Sequence, residues 1–533
     1  MTKLDRPAIP AVTVLDQPIV MRDGTVLRAD VHRPAGDGRH RTLLMRGPYG
    51  EGVFRSVPVS AHLRAGMAVV LQHCRGRGDS DGEFTPWADE GRDGADTVDW
   101  ITAQPWSNGE VVAAGSSYLA GCALQLASER PDALKAVVAS MTPHDFYDGL
   151  NYHGGAFALG SAFFWAALQG LLGATHDLAG GTDARPRLGA LMGVLSDPDA
   201  ALRALPLREA PAVADAFPFW RDWVGHPERD AYWRDLARTL RHDRIAVPVL
   251  HVAGWFDVFL RGTLENHRRI PGGRLIIGPW THLAQTAGAG ELHFGYAASA
   301  QAAQVEAAQI AFLRGDTEGP AVRYFTMGAN VWREAASWPP PGATATRYYL
   351  HSGGSLSAEA PAEGAAPSRF VHDPDDPVPT HGGNLLLTDP VNVGPRDQRA
   401  VEARPDVLVF TTPVLGRDVE VTGPVRAVLH AATSAPGADW TAKLVDVHPD
   451  GRAMNVLDGV VRSAGGGGRH EIDLAATSQT FRAGHRIRVQ VASSNFPRFD
   501  RHPSMVRAEQ TVFHDAGRPS WIELPVMRVA RGG

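Results

Sequence analysis

Cysteine is nearly absent from this 533-residue chain, which has only Cys74 and Cys122. Each sits inside an apolar stretch that reads as core, so neither a disulfide framework nor a thiolate metal site is expected from them. A reducing, cytoplasmic compartment is the simplest reading of that scarcity. An excess of charge of one sign is also missing. The formal net charge is -6 with both signs mixed along the chain. No basic stripe exists to neutralise phosphates, so nucleic acid is not an expected partner. The first ten residues carry Lys3, Asp5 and Arg6 but no apolar run of the kind a secretory signal contains. Only residues 156–174 approach the length of a membrane span, an uncharged stretch that includes Phe157, Phe163, Phe164, Trp165 and Leu168. Gly160, Ser161, Gln169 and Gly170 dilute it, and no Lys/Arg cluster flanks it. A buried helix is therefore expected, and no membrane partner.

The length calls for two or three domains. From Arg41 to about Met141, apolar runs at 42–45, 67–71, 111–114 and 134–139 alternate with helix-like segments. The rhythm resumes at 247–252 and 274–277. Continuous apolar strands separated by helices predict a parallel sheet covered on both faces. Between these halves, residues 143–244 turn helical and aromatic, with Phe217, Phe219, Trp220, Trp223, Tyr232 and Trp233, as expected of an insertion lying over the sheet. Pro339-Pro340-Pro341-Gly342 makes a stiff break, and the chain beyond alternates in twos, as at Val425/Ala427/Leu429 and Ile487/Val489/Val491. Pro449-Asp450-Gly451 predicts a hairpin turn. The expected organisation is an α/β domain in two parts, 1–142 and 245–334, a helical cap at 143–244, and a β-sandwich or jelly roll at 335–533.

The strongest local signal for chemistry is Gly115-Ser116-Ser117-Tyr118, where an apolar strand turns sharply into an Ala/Leu-rich helix. Such a turn lifts one serine hydroxyl off the top of a sheet, beside the backbone N–H groups of a helix N-terminus. Ser117 stands at the apex, two places after the glycine, and Ser116 is its rival. A serine needs a base held by an acid. Gly254-Trp255-Phe256-Asp257 and Gly278-Pro279-Trp280-Thr281-His282 supply both, at the ends of two later strands and in the order Ser, Asp, His. Taken singly, His282 could be a loop histidine and Asp257 a helix cap; three suitable residues at successive strand ends favour a triad. The backbone N–H of Tyr118 is one expected oxyanion donor. The Tyr49 phenol, in Arg46-Gly47-Pro48-Tyr49-Gly50, is either a second donor or a tyrosine packed in a Pro-Gly turn.

Together with Arg75-Gly76-Arg77-Gly78-Asp79-Ser80-Asp81-Gly82-Glu83-Phe84, Gln104-Pro105-Trp106-Ser107-Asn108-Gly109 and Ser493-Ser494-Asn495-Phe496-Pro497, these motifs resemble the cocaine-esterase-like hydrolases. Those are relatives of the X-Pro dipeptidyl-peptidases and α-amino-acid ester hydrolases. The resemblance covers nearly the whole chain. It implies an α/β-hydrolase fold with an inserted helical cap and a C-terminal β jelly roll. It also implies triad roles for Ser117, Asp257 and His282, an oxyanion hole from Tyr49 and Tyr118, and a small-molecule ester or amide as substrate, with no metal or organic cofactor required. Two places depart from the family pattern: Ala120, where glycine is usual, and His73, where an acid is common.

In the amino-ester branch, acids follow the triad aspartate, because a desolvated ammonium needs a carboxylate partner. Here the corresponding residues are Val258, Phe259 and Leu260. An apolar acyl pocket built from Phe259, Trp165 and Phe164 is therefore expected. A peptidase of the X-Pro or aminoacyl kind and a catalytically inert ligand-binding homologue are the alternatives. The oligomeric state is left open, a homo-oligomer included.

Overall fold

The computed structural model describes residues 10–210, 214, 219–316, 318–386 and 391–528; Lys3, Asp5, Arg6 and Phe217 lie outside them. Ten strands form the central sheet: β1 (Ala11–Val20), β2 (Val26–Pro34), β3 (His40–Gly47), β4 (Ala68–His73), β5 (Ser107–Ser116), β6 (Leu134–Ser140), β7 (Val249–Phe256), β8 (Arg274–Thr281), β9 (Val322–Thr326) and β10 (Val331–Ala335). Their order is β1-β2-β4-β3-β5-β6-β7-β8-β9-β10. The pairs from β4 through β9 are parallel, while β1, β2 and β10 join antiparallel at the two edges.

The central strands have no polar face because both sides are covered. Leu44, Val70, Val111, Ala113 and Val137 pack under α1 (Glu90–Thr102) and α2 (Tyr118–Glu129). Leu43, Val69, Val112, Val138 and Val252 pack on the opposite side with Val305 and Phe312 of a later helix, Val305–Leu313. A strand buried on both faces reads as an unbroken apolar run, which is why these runs stand out in the sequence.

The insertion between β6 and β7 is helical. Its longest described helix, α3 (Leu159–Ala179), contains the uncharged stretch from residue 159 on, while Ala156–Phe157 form a short strand; among the described residues no helix is long and apolar enough to cross a membrane. Phe163 and Ala166 of α3 are fully buried in the same core cluster as Trp220 and Trp233.

After β10 the chain builds an antiparallel jelly-roll domain: β11 (Ala343–Leu350), β12 (Leu356–Ser357), β13 (Ser368–His372), β14 (Leu408–Thr411), β15 (Val419–Val447), β16 (Ala453–Phe481), β17 (Arg486–Ala492), β18 (Ala508–Val512) and β19 (Trp521–Met527). The β15–β16 hairpin closes through the turn at 448–452. Val425, Ala427 and Leu429, with Ile487, Val489 and Val491, form its core. Gln490, on the other face of β17, is buried as well, because Glu402 covers it and accepts from its amide at 2.9 Å.

Candidate active site

Strand β5 ends at Ser116, and the chain reverses at Ser117 to begin α2. The reversal puts Ser117 at φ 60°, a region that costs a non-glycine residue energy and persists only where the surroundings enforce it. Gly115 is part of that enforcement: a Cβ there would lie 2.3 Å from the Leu119 carbonyl carbon. The Ser117 backbone N–H is held by Ser140 O at 2.9 Å. Ser116 lines a separate groove with Ser140, Gln285 and Gln309, so only the Ser117 side chain borders the cavity beneath the cap.

Strands β7 and β8 run parallel beside β6 and carry the other two groups to the same edge. His282 Nδ1 lies 2.6 Å from Asp257 Oδ2, and His282 Nε2 lies 3.1 Å from Ser117 Oγ. An ionised carboxylate can only accept, so the proton sits on Nδ1, and Nε2 is left to accept from the serine hydroxyl. Asp257 is fully buried. Its second oxygen takes the backbone N–H of Phe259 at 2.7 Å, at the start of a helix over Leu260–Arg269. Of the two sequence readings of Asp257, the partner of His282 is the one the geometry meets; the helix-cap reading is not met, since the following helix has Phe259 at its N-cap position and no side-chain cap bond. The Phe259 ring stands edge-on to the imidazole with centroids 5.3 Å apart.

Tyr49 projects from the loop after β3. Its hydroxyl accepts from Trp165 Nε1 at 3.0 Å and also meets the Ser117 hydroxyl. Burial pushes its phenol up to about 12, so the group stays an O–H donor at neutral pH. The Tyr118 N–H is the first of α2 and has no carbonyl a turn earlier to bond within the helix. The Tyr118 side chain points away into the core. There it stacks on Trp87 at 3.8 Å, donates to Glu90 Oε1 at 2.8 Å and accepts from Trp87 N at 2.8 Å. Arg46 closes this layer against Glu90 at 3.3 Å. A buried, fully partnered tyrosine ring therefore fixes the backbone N–H beside Ser117.

Ser117 opens onto a narrow cavity beneath the cap. Tyr49, Trp87, Leu150, Ala162, Trp165, Trp223, Phe259 and Leu386 supply most of its wall, with Asn151 and Ser161 as the polar exceptions. Two of the three residues expected in the pocket, Phe259 and Trp165, line it. Phe164 does not, which corrects the expectation: α3 faces the cavity with Ser161, Ala162 and Trp165, and a residue one step before Trp165 is turned by about 100°. The sequence reading also passed over Trp87, Leu150, Asn151 and Leu386. No local motif marks them; they arrive from separate loops and from the jelly-roll domain.

That domain contributes Asn384 as well. Gly382 and Gly383 turn the chain at positive φ, and the buried Asn384 amide donates to Trp255 O at 2.8 Å and Asp257 O at 3.1 Å. It braces the turn that presents the Asp257 carboxylate to His282.

The two departures are also placed. Ala120 is fully buried in α2. His73 lies under the 48–54 loop, 3.1 Å from Glu51 and tilted on Phe54 at 5.0 Å, and it lines no part of the cavity. Both cysteines are free and buried, as core residues would be. Their sulfurs and a Glu90 oxygen lie within 4.8 Å of one another, because the end of β4 and the first turns of α2 meet on one face of the sheet. Burial pushes both thiols up.

Residues 23–284 match the model for X-Pro dipeptidyl-peptidase (S15 family), and residues 315–523 match that for the X-Pro dipeptidyl-peptidase C-terminal non-catalytic domain. The chain is 37% identical to the cocaine esterase of Rhodococcus sp. (strain MB1 Bresler), across 96% of this chain and 98% of that protein. Among solved structures, an aminopeptidase from the marine sediment archaeon Thaumarchaeota archaeon superposes with a TM-score of 0.81 at 26% identity, covering 99% of each chain. An α-amino acid ester hydrolase shares the fold, with a TM-score of 0.81 at 23% identity over 98% of this chain and 99% of that one. The chain therefore belongs to the cocaine-esterase-like and X-Pro dipeptidyl-peptidase family of α/β-hydrolases, and it is a serine hydrolase.

Proposed function

We propose that this enzyme hydrolyses carboxylic esters bearing an apolar acyl group, through a Ser117–His282–Asp257 triad and an acyl-enzyme. The observation that carries the reading is a continuous relay of 3.1 and 2.6 Å ending at a serine that borders an apolar cavity.

In the first step His282 Nε2 takes the Ser117 proton as Oγ attacks the ester carbonyl. Charge then develops on the carbonyl oxygen, where the Tyr118 N–H and the Tyr49 O–H converge as donors. The imidazolium formed is stabilised by Asp257, and it returns the proton to the departing alkoxide. A water activated by the same imidazole then attacks the acyl carbon, releasing the acid and restoring Ser117.

The acyl group is read by Trp87, Trp165, Trp223 and Phe259. Among the described residues, no carboxylate lines this cavity. An ammonium placed there would lose water without gaining a counter-charge, at a cost of several kcal/mol or more. Apolar acyl groups are favoured over α-amino ones for that reason.

The test is a panel of esters with one common leaving group: benzoyl, phenylacetyl, short alkanoyl, and α-aminoacyl. The expected order of kcat/KM places the aromatic acyl groups first, by at least about tenfold over the aminoacyl esters. Preference for the aminoacyl esters, or for X-Pro amides, would instead establish the peptidase or amino-ester reading that the archaeal aminopeptidase suggests. Failure of Ser117 to react with a fluorophosphonate would leave only an inert scaffold.

A further inference from the structure

Two clusters of three candidate metal-ligating side chains occur among the described residues. Cys74, Glu90 and Cys122 are sealed in the core, and their carboxylate already takes the Tyr118 hydroxyl, the Cys74 thiol and Arg46. Nothing is left over there for an ion. The second cluster, Asp446, His448 and His485, is open on one side: the histidine side chains are 20% and 15% exposed, and that of Asp446 is 6% exposed.

Its geometry is set by the backbone. Asp446 stands opposite Ile487, and Val447 opposite Arg486, where β15 and β17 end side by side. His448 and His485 are the next residues outward on each strand. His448 opens the 448–452 turn, its N–H bonded to Arg452 O at 2.8 Å. His485 closes the neighbouring turn, bonded to Arg482 O at 3.0 Å and Leu415 N at 2.8 Å. The two rings lie 4.6 Å apart at 40°. His485 Nδ1 is 2.8 Å from Asp446 Oδ1, and His448 Nε2 is 3.9 Å from Asp446 Oδ2. Gln479 donates to Oδ2 at 3.0 Å and steadies the carboxylate from behind, as outer partners of metal ligands do. The nearby Arg452 and Arg482 are paired with Asp450 and Asp418, so no uncompensated cation repels an ion here.

We infer that Asp446, His448 and His485 form a site for one divalent metal of the zinc class, clamping the 448–452 turn to the turn that precedes β17. Two imidazoles and one carboxylate on converging chain segments suit Zn²⁺, Co²⁺ or Ni²⁺ and not Mg²⁺ or Ca²⁺, which prefer all-oxygen sites. A metal about 2.0–2.2 Å from each ligand atom replaces the proton that His485 Nδ1 shares with Asp446, and that proton goes to solvent. Water completes the coordination on the exposed side. The site lies outside the catalytic cavity, so its effect is on the β-domain.

Chelator-treated full-length protein titrated with Co²⁺ and Zn²⁺ in a calorimeter, with the Co²⁺ visible spectrum as a second readout, tests the inference. One saturable equivalent per chain is expected, with a melting temperature raised by a few degrees at a hundredfold excess over Kd. His448→Asn and His485→Asn should each weaken binding by at least about 100-fold. Both should leave ester hydrolysis unchanged, and His293→Asn, at an exposed position elsewhere, should bind as the parent does. Should either ligand variant misfold, Asp446→Asn, which keeps the size of the side chain but removes its charge and one acceptor oxygen, replaces it with the same expected loss. Undiminished binding in the ligand variants, or no saturable binding at sub-millimolar Zn²⁺, overturns the site.

Discussion

Two cavities flank the turn at Asp257, and their chemistry is opposite. On the Ser117 side the space is walled by aromatics and aliphatics. On the far side a space between sheet, cap and jelly roll is lined by Asp148, Asp458, Glu471 and Asp473 together with Arg261 and Arg498. The turn itself divides its residues between them: Phe259 faces the first, while Val258, Leu260 and Arg261 face the second. The carboxylates near Asp257 therefore come from distant segments and lie on the side that Ser117 does not border. Only the fold assigns each of them to a face, so sequence distance from Asp257 does not find them.

The comparison breaks first if chemistry does not occur on the apolar side. Ser117→Ala should abolish fluorophosphonate labelling and lower turnover by on the order of 10⁶-fold; labelling that persists at another serine would move the reaction elsewhere. Tyr49→Phe removes one donor from the same wall and should cost roughly 10²–10³ in kcat with the fold intact by circular dichroism. Turnover near that of the parent would show that the phenol only packs. Ser161→Asp brings a carboxylate across the divide. The charge is placed where no cation partners it, so benzoyl ester kcat/KM should fall by about 10–100-fold while aminoacyl esters gain in relative terms. Equal losses for both classes would mean that wall polarity does not govern selectivity. The smallest effect is expected from the boundary between the cavities. Asn384→Ala leaves the carbonyls of Trp255 and Asp257 short of a donor, a loss of about 1–3 kcal/mol. Read out as kcat, this should appear as a roughly tenfold decrease with KM held, and restoration by Asn384→Gln is not expected because the longer amide overshoots. A fall in melting temperature with kcat unchanged would make Asn384 a structural tie only.

The central strands were legible because burial on both faces writes an apolar run, as at 111–114 and 134–139, now inside β5 and β6. The grouping of Ser117, Asp257 and His282 was legible for a related reason: parallel strands deliver their carboxyl ends to one edge, so chain order and strand order together suffice to bring the three side chains together. The edge strands were not. β1 is mostly exposed and β10 half so, and neither presents a run or a clean alternation. Contacts between distant segments left no local trace either. Cys74 beside Cys122, Leu386 in the acyl cavity and Asn384 behind Asp257 all depend on how separate elements meet. Phe164 shows the complementary error, since composition named the right helix but only its rotation decides which aromatic faces inward.

The Phe157 amide bonds to Asp500 Oδ1 at 2.9 Å, and the Arg462 amide bonds to Gly154 O at 2.8 Å, so the root of the cap is stitched to the jelly roll. Arg462 also grips Asp439 and Asp500 through its guanidinium. Since Asn384 ties the same jelly roll to the sheet, all three parts meet around Ser117 and Asp257. A chain cut short near residue 335 would lose Leu386 from the cavity wall and Asn384 from behind Asp257, so the jelly roll helps to build the candidate site.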